Sequence, residues 1–172
     1  MVGVLMKTMI IDNFLPNADW LINYSTSLEF RRRGEGEYFE GERSGELHAE
    51  RKQMAGSICR RIIEEYYGIK DFNYNADLYF HKTSEVDLQD PQWLHDKIHT
   101  DKGMIAGLIY LTKDAPLDCG TQTYHNSLKP DIVMGNRYNR LVVYPCEKEH
   151  SAMNYFNTRL VLLFWLNGLE KN

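Results

Sequence analysis

The chain has 172 residues, of which 43% are hydrophobic and 26% are charged, and its formal net charge is -4 at pH 7. This composition is typical of one globular domain with a hydrophobic core, and the charge argues against general binding to nucleic acid or anionic membranes. No apolar run approaches the roughly 20 residues of a membrane-spanning helix, and residues 1–9 are too short for a signal peptide.

The N-terminal region begins with a strand signal and continues with a helix signal. Residues 4–14 alternate in hydrophobicity and predict an edge strand. Asn17 is placed to cap a helix over residues 18–30, where apolar residues recur at helical spacing. The three arginines at 31–33 fit the C-terminal end of that helix, where cations complement the helix dipole. An anion-binding role for them remains the alternative.

A glycine-rich stretch separates this helix from a second one. Residues 34–45 contain four glycines among charged residues and predict a mobile surface loop, which is also a candidate lid. Residues 47–67 predict the second helix, and Gly68 stands where a glycine would end it. We expect both helices to be scaffold packed on a sheet.

From residue 75 onward the hydrophobic pattern changes to a period of two, which is typical of strands. Residues 76–81 predict a strand, and residues 83–93 predict a loop; turn residues recur at 114–116 and 130–136. Further strands are predicted at residues 97–101, 104–112, 121–125, 139–144, 150–155 and 159–166. Two helices followed by many short strands favour an antiparallel sandwich or barrel with helices on one face.

His99 and Asp101 form a candidate metal-binding pair. Side chains two residues apart in an extended chain point to the same face, so an imidazole and a carboxylate would lie side by side. His150 is the preferred third ligand, while His81 and His125 remain rivals, and His125 is the more credible of these two. Two histidines and one carboxylate with open positions form the facial arrangement of non-haem Fe(II) oxygenases.

Arg159 begins a strongly apolar segment and would need a partner if its guanidinium were buried. One interpretation places Arg159 at the strand end, in contact with water or a surface carboxylate. The other is that its planar fork binds the carboxylate of a bound acid. Strand parity puts Val161, Leu163 and Trp165 on the face of Arg159, so Trp165 would line the same pocket.

The order and spacing of these four polar residues resemble those of the Fe(II)/2-oxoglutarate-dependent dioxygenases. The likeness is to the prolyl-4-hydroxylase-like branch, in particular its small members in bacteria and phages, and covers about residues 76–166. Besides the ligands, the matching segments are IHTD at 98–101, AGLIYL at 106–111, DAPL at 114–117, CGT at 119–121 with Tyr124, NRLVVY at 139–144 and HSA at 150–152.

The resemblance implies a mainly β (α+β) fold, a double-stranded β-helix or jelly roll, with the two N-terminal helices packed on one face. We expect a single domain over residues 1–172, in which residues 1–70 give helical support and residues 75–167 form the jelly-roll core. By the resemblance, His99, Asp101 and His150 would ligate iron.

The resemblance also assigns the cofactor-binding residues. Arg159 would pair with the C5 carboxylate of 2-oxoglutarate, and the hydroxyl of Tyr110 would assist it, although a core tyrosine is the alternative for Tyr110. Trp165 would line this pocket. The implied cofactors are Fe(II) and 2-oxoglutarate, with ascorbate as a candidate reductant.

The implied activity is hydroxylation of an unactivated C–H bond with O2. The substrate would be a prolyl or other protein side chain, or else a small metabolite, and candidate contacts are residues 34–45, 83–93 and 136–140. The alternatives are a cupin-type metal-binding jelly roll without 2-oxoglutarate and a non-catalytic binding module. We expect no membrane or nucleic-acid partner.

The three cysteines bear on the compartment in which the protein works. Cys59, Cys119 and Cys146 are odd in number and form no C-x-x-C pair. This argues against a disulfide framework or a zinc ribbon and is compatible with a reducing compartment. We therefore expect partly buried thiols and a location in the cytoplasm of a bacterium or phage-infected cell.

Overall fold

The structure is a computed structural model. It describes residues 7–34, 39–45, 52–70, 72–84, 98–125, 129–153 and 157–171. The described strands are β1 (Met9–Ile11), β2 (Phe30–Arg32), β3 (Glu42–Ser44), β4 (Phe72–Ser84), β5 (Ile105–Tyr110), β6 (Thr121–His125), β7 (Lys129–Met134), β8 (Leu141–Pro145), β9 (His150–Ala152) and β10 (Thr158–Lys171). The helices are α1 (Asp19–Ser25) and α2 (Lys52–Arg61), which continues as a π-helical turn (Ile62–Tyr66).

The described strands form two antiparallel sheets. The major sheet has seven strands in the order β1-β8-β5-β10-β4-β3-β2, and the minor sheet has three in the order β7-β6-β9. A single bridge between His99 and His150 continues the minor sheet beyond β9. This mainly β arrangement is consistent with the expected jelly roll. No helix among the described residues is long and apolar enough to cross a bilayer.

Strand β10 separates two hydrophobic clusters because successive side chains of a strand point to opposite faces. Leu162 and Phe164 share one cluster with Leu21 of α1 and Ile58 of α2. Val161 belongs to the second cluster, against which Leu163 and Trp165 also pack. The side chains of β10 therefore alternate between two faces, as the sequence predicted. The face with Val161, Leu163 and Trp165 is directed at the functional site described below.

Gly107 of β5 is required where β5 lies against β10. Gly107 pairs in register with Phe164, and a Cβ added at Gly107 would lie 2.2 Å from Cζ of Phe164, which is buried. We expect Gly107→Ala to destabilise the fold by about 1–3 kcal/mol through overpacking. Urea unfolding measures this, with Gly168→Ala as the control, because no atom lies within 4 Å of a Cβ at Gly168. Equal stability of the two variants would contradict the packing.

The first predicted helix is wrong in length. Residues 18–30 were expected to be helical, but α1 ends at Ser25. The hydroxyls of Ser25, Thr26 and Ser27 each donate to the carbonyl oxygen three residues earlier, which offers the backbone an alternative to further helical bonds. The chain then enters β2, so two of the three arginines lie on a strand rather than at a helix end.

Two further expectations are wrong because short strands lack a strong hydrophobic pattern. Residues 34–45 were expected to form a loop, yet β3 pairs with both β2 and β4. Residues 130–136 were expected to form a turn, yet β7 occupies most of them. Pro130 is tolerated there because β7 is the terminal strand of the minor sheet, where one side of the strand needs no backbone donor.

Other expectations hold or hold in part. Of the edge strand predicted within residues 4–14, β1 forms Met9–Ile11 at the sheet edge, and residues 4–6 lie outside the described residues. The predicted strand at 121–125 coincides with β6. Gly68 follows the second helix with φ +66°, as a helix-ending glycine should. Residues 85–97, which include most of the predicted loop at 83–93, lie outside the described residues. Residues 35–38, within the predicted loop at 34–45, and residues 46–51, at the start of the predicted second helix, lie outside them as well.

Candidate metal centre

The three predicted ligands are brought together where the minor sheet meets the segment before β5. The backbones of His99 and His150 exchange two hydrogen bonds, of 3.0 and 2.9 Å. The amide of Asp101 donates to the carbonyl oxygen of Cys146 at 2.9 Å. These bonds fix the two chain segments side by side, and one ligand atom from each of the three side chains lies within 4.8 Å of the others.

The side-chain geometry of this group leaves the Nε2 lone pair of His150 available. Nε2 of His150 lies 3.3 Å from Oδ2 of Asp101, and Nε2 of His99 lies 4.0 Å from Oδ1. Nδ1 of His150 donates to the carbonyl oxygen of Lys148 at 2.9 Å. Because a carbonyl only accepts, this bond places the proton on Nδ1 and leaves Nε2 of His150 to bind a metal.

Asp101 has the electrostatics of a metal ligand. Burial raises the pKa of its carboxyl, but the neighbouring side chains of His150, Trp165 and His99 outweigh burial and lower that pKa. The carboxylate is therefore ionised at neutral pH. Trp165, which the sequence placed in the pocket, lines the same cavity as this carboxylate.

Arg159 is buried, with 5% of its surface exposed. Its Nη2 donates to Oγ1 of Thr121 at 3.4 Å, and its guanidinium carbon lies 5.4 Å from the ring centroid of Tyr110. Tyr110 in turn donates to Oγ1 of Thr121 at 2.9 Å. Thr121 was not among the predicted site residues; its only signal was its place in the matching segment at 119–121.

The guanidinium of Arg159 lacks an anionic partner among the described residues. No ion pair is formed by Arg159 within that part of the chain, and its Nε is buried without a hydrogen-bond partner there. A buried cation without a counter-charge is costly, and a carboxylate would remove that cost. The chemistry of this group therefore fits a bound organic acid.

The metal ligands and Arg159 lie on one cavity of about 670 Å³. Tyr110 is fully buried beneath Arg159 and bonds to Thr121 instead of reaching the cavity wall. The cavity is lined by Arg33, Phe39, Glu40, Arg43, Asp77, Tyr79, His81, Ile98, His99, Thr100, Asp101, Lys102, Leu108, Tyr144, His150, Ala152, Arg159, Leu163, Trp165 and Asn167. Arg33, Phe39, Glu40 and, on β3, Arg43 thus contribute to the site, which the sequence did not indicate beyond a candidate lid.

The two rival histidines lie outside the ligand group. His125 is exposed at the end of β6. His81 is buried on the cavity wall, but its Nε2 bonds to the carbonyl oxygen of Glu40. Within the described residues, only His150 joins the first two ligands to form a group of three. Its two imidazoles and one carboxylate fit the donor set that non-haem Fe(II) uses.

His81 should make the stability of the protein depend on pH. Burial, followed by the charge of Arg43, lowers the pKa of His81 to about 4 from its usual 6.5. The imidazole of His81 binds a proton more tightly in the unfolded chain than in the folded one. The contribution of His81 to the free energy of unfolding is therefore complete above pH 6.5 and is lost as the pH falls toward 4. We expect a loss on the order of 3 kcal/mol over that range.

Urea unfolding between pH 7 and pH 4.5 measures this loss. His81→Gln keeps a hydrogen-bond donor for Glu40 but cannot titrate, so its stability should fall less steeply with pH than that of the wild type. Parallel curves for the two proteins would show that His81 is not the group responsible.

Comparison with known proteins gives fold likeness but no sequence match. No protein-family model and no curated protein matches this chain. A 2OG-Fe(II) oxygenase family protein from Burkholderia pseudomallei is 11% identical with a TM-score of 0.68, over 93% of this chain and 84% of that one. A viral collagen prolyl hydroxylase from Paramecium bursaria Chlorella virus-1, solved with 2OG, is 13% identical with a TM-score of 0.58, over 92% and 94%.

A prolyl hydroxylase from Trichoplax adhaerens has a similar likeness. It was solved with a peptide fragment of the hypoxia inducible factor oxygen degradation domain, and it is 14% identical with a TM-score of 0.58, over 93% of this chain and 83% of that one. The chain spans only 58% of a Phytophthora capsici prolyl 4-hydroxylase, at 14% identity and a TM-score of 0.59. The resemblance seen in the sequence is confirmed by these neighbours: the chain has the fold of the 2OG-Fe(II) oxygenases and prolyl hydroxylases.

Proposed function

We propose that this protein is an Fe(II)- and 2-oxoglutarate-dependent dioxygenase that hydroxylates an unactivated C–H bond. The observation that carries the proposal is the pairing of two features on one cavity. One is the group of His99, Asp101 and His150, and the other is the buried guanidinium of Arg159. A cupin-type metal site would not require the second feature.

When bound, Fe(II) and 2-oxoglutarate supply the oxidising chemistry that uses O2 to hydroxylate a C–H bond. The residues of the chain hold and orient these groups. His150 presents Nε2 because its Nδ1 is committed to Lys148. Asp101 presents an ionised oxygen, because its neighbours lower the pKa of its carboxyl. Arg159 would bind one carboxylate of the 2-oxoacid at a position sheltered from water.

The proposed substrate is a prolyl or other protein side chain, with a small metabolite as the alternative. The peptide complex of the Trichoplax adhaerens neighbour supports a peptide substrate. The side chain of His99 is 47% exposed, so the metal centre lies near the cavity opening, where a chain segment can reach it. Ascorbate as a reductant remains part of the proposal.

The proposal includes a single domain over residues 1–172, with residues 1–70 as support for a core at 75–167. The common cluster of Leu21, Ile58 and Phe164 supports two helices packed on one face of the major sheet. A reducing compartment such as the cytoplasm is also proposed. It is supported by the three cysteines, which are buried and form no disulfide with one another.

Anaerobic titration with Fe(II) and then 2-oxoglutarate tests the function. We expect the weak visible charge-transfer band of a metal-bound 2-oxoacid, because one cavity offers both an open metal site and a partner for the distal carboxylate. Succinate formation in air is the second readout. Bound iron without a band on addition of 2-oxoglutarate would favour the cupin-type alternative. A protein that binds no iron would favour the non-catalytic module.

A further inference from the structure

Tyr144 of β8 lines the same cavity as the metal ligands and Arg159. Its side chain belongs to the hydrophobic cluster on the site face of β10, and only 4% of its surface is exposed. In the major sheet, Ala106 of β5 pairs in register with Tyr144 on one side and with Trp165 on the other. Directly opposed residues share a face of a sheet, so Tyr144 and Trp165 flank a small residue on the face that carries the site.

The ring of Tyr144 packs against a metal ligand. Its centroid lies 4.6 Å from the centroid of the His150 ring, and the two planes are inclined by 47°. His150 is itself fixed by its backbone bonds to His99 and by the bond between Nδ1 and the carbonyl oxygen of Lys148. The ring of Tyr144 is therefore held beside the imidazole that presents Nε2 to a metal.

The hydroxyl of Tyr144 has no hydrogen-bond partner among the described residues. It is also not one of the buried side-chain atoms left without a partner in that part of the chain, so it is accessible from the cavity. The hydroxyl of Tyr110 differs, because it donates to Thr121 at 2.9 Å and the residue is fully buried. Between these two tyrosines, Tyr144 therefore has the hydroxyl that can bind a ligand.

The charges around this phenol suit an anionic ligand that extends from the metal to Arg159. Burial raises the pKa of Tyr144, the charge of Asp101 also raises it, and the charge of Arg159 lowers it. The phenol therefore lies near enough to both the metal ligand and the guanidinium to feel their charges. A phenol has an ordinary pKa of about 10, so the Tyr144 hydroxyl keeps its proton at neutral pH and can donate it in a hydrogen bond.

The position of the ring favours the metal end of such a ligand. Tyr144 is level with Trp165 in the sheet, and Arg159 lies six residues before Trp165 on β10, about 20 Å along the strand. A 2-oxoacid in the cavity would also displace water from the hydroxyl. A polar group that loses water without gaining a partner is costly, whereas a hydrogen bond to a carboxylate is stronger than one between neutral groups.

We propose that the hydroxyl of Tyr144 donates a hydrogen bond to the carboxylate of 2-oxoglutarate that chelates the metal. Arg159 of β10 would then bind the distal carboxylate and Tyr144 of β8 the chelating one, so different strands fix the two ends of the molecule. This inference rests on the proposed function, because it takes 2-oxoglutarate as the ligand of the cavity. It adds Tyr144 to the residues that bind the cofactor.

Anaerobic titration of the Fe(II)-loaded protein with 2-oxoglutarate tests the inference through binding and a spectrum, without turnover. Tyr144→Phe removes the hydroxyl and keeps the ring against His150. We expect the Kd for 2-oxoglutarate to rise at least about tenfold, because a hydrogen bond to a charged group is lost. The maximum of the charge-transfer band should also shift, because the lost bond was made to the chelating carboxylate. The Kd for Fe(II) should not change, because the phenol is not a ligand.

Tyr124→Phe is the matched control. The hydroxyl of Tyr124 lies 2.9 Å from Oγ of Ser151, and Tyr124 is not among the described residues that line the cavity. This variant should keep the wild-type Kd for 2-oxoglutarate and the wild-type band. Thermal unfolding of ligand-free Tyr144→Phe should match that of the wild type, because its hydroxyl has no partner to lose within the described chain.

The inference is overturned if Tyr144→Phe binds 2-oxoglutarate as tightly as the wild type. A lower affinity with an unmoved band would also overturn it, because the hydrogen bond would then reach another part of the molecule. Weaker Fe(II) binding by Tyr144→Phe would show that the hydroxyl supports His150 instead. A wild-type protein that binds iron but forms no band with 2-oxoglutarate would contradict the proposed function itself.

Discussion

His150→Ala is expected to abolish the charge-transfer band and to weaken metal binding by more than about 100-fold. Loss of a hydrogen-bond partner around a metal ligand costs about 10–100-fold in metal affinity, and removal of a ligand should cost more. The ring of His150 is buried and lies 4.6 Å from the ring centroid of Tyr144, so the variant should also lose about 1–3 kcal/mol of stability.

Metal titration of the anaerobic protein and circular dichroism measure these two effects separately. The backbone bonds between His150 and His99 do not involve the side chain, so the local strand pairing should remain. His125→Ala is the matched control, because His125 is exposed at the end of β6 and was the rival third ligand. Undiminished iron binding in His150→Ala would contradict the assignment of His150 as a metal ligand. Loss of iron binding in His125→Ala would contradict it as well.

Arg159→Met is expected to separate stability from cofactor binding. The guanidinium is buried and lacks an anionic partner among the described residues, so an apolar side chain of similar length should leave the ligand-free protein as stable or more stable. The same change should remove the stabilisation by 2-oxoglutarate, which at a concentration of 100 times Kd amounts to about 2.7 kcal/mol. The required concentration of 2-oxoglutarate should rise by at least about 100-fold.

Thermal unfolding with and without Mn(II) and 2-oxoglutarate measures both effects. Arg140→Met provides the contrast, because the Arg140 guanidinium is paired with Asp12 at 2.5 and 3.0 Å and also donates to Gly135 at 2.8 Å. That variant should lose about 1–3 kcal/mol and retain its response to 2-oxoglutarate. A strongly destabilised Arg159→Met protein would mean that Arg159 serves the fold and not a ligand.

Strand parity explains why much of the site was predictable. Residues two apart on a strand share a face, so the common orientation of Arg159, Leu163 and Trp165 on β10 followed from local spacing. The strand expected at residues 97–101 is not present over residues 98–101, where His99 forms only an isolated bridge. The alternation from residue 75 onward likewise indicated a β core. Spacing alone left three histidines open as the third ligand, and among the described residues His150 is the one that lies with His99 and Asp101.

The errors occurred where tertiary contacts override weak local patterns. β3 and β7 are short strands whose glycine or proline neighbours favour loops when each segment is considered alone. Neighbouring strands supply the missing hydrogen bonds, and the edge position of β7 tolerates Pro130. Hydroxyl groups that compete for backbone carbonyls likewise ended α1 earlier than its apolar spacing indicated.

The sequence alone indicated a β-rich core and the candidate residues His99, Asp101, His150 and Arg159, because side-chain chemistry and two-residue periodicity are local properties. That His150 lies beside His99, that Thr121 lies beside Arg159 and that Arg43 lines the cavity is seen only in the folded chain. These relations depend on which strands pair and in what register. Long-range hydrogen bonding and burial determine which strands pair and in what register, and the residue spacing within one segment does not predict either.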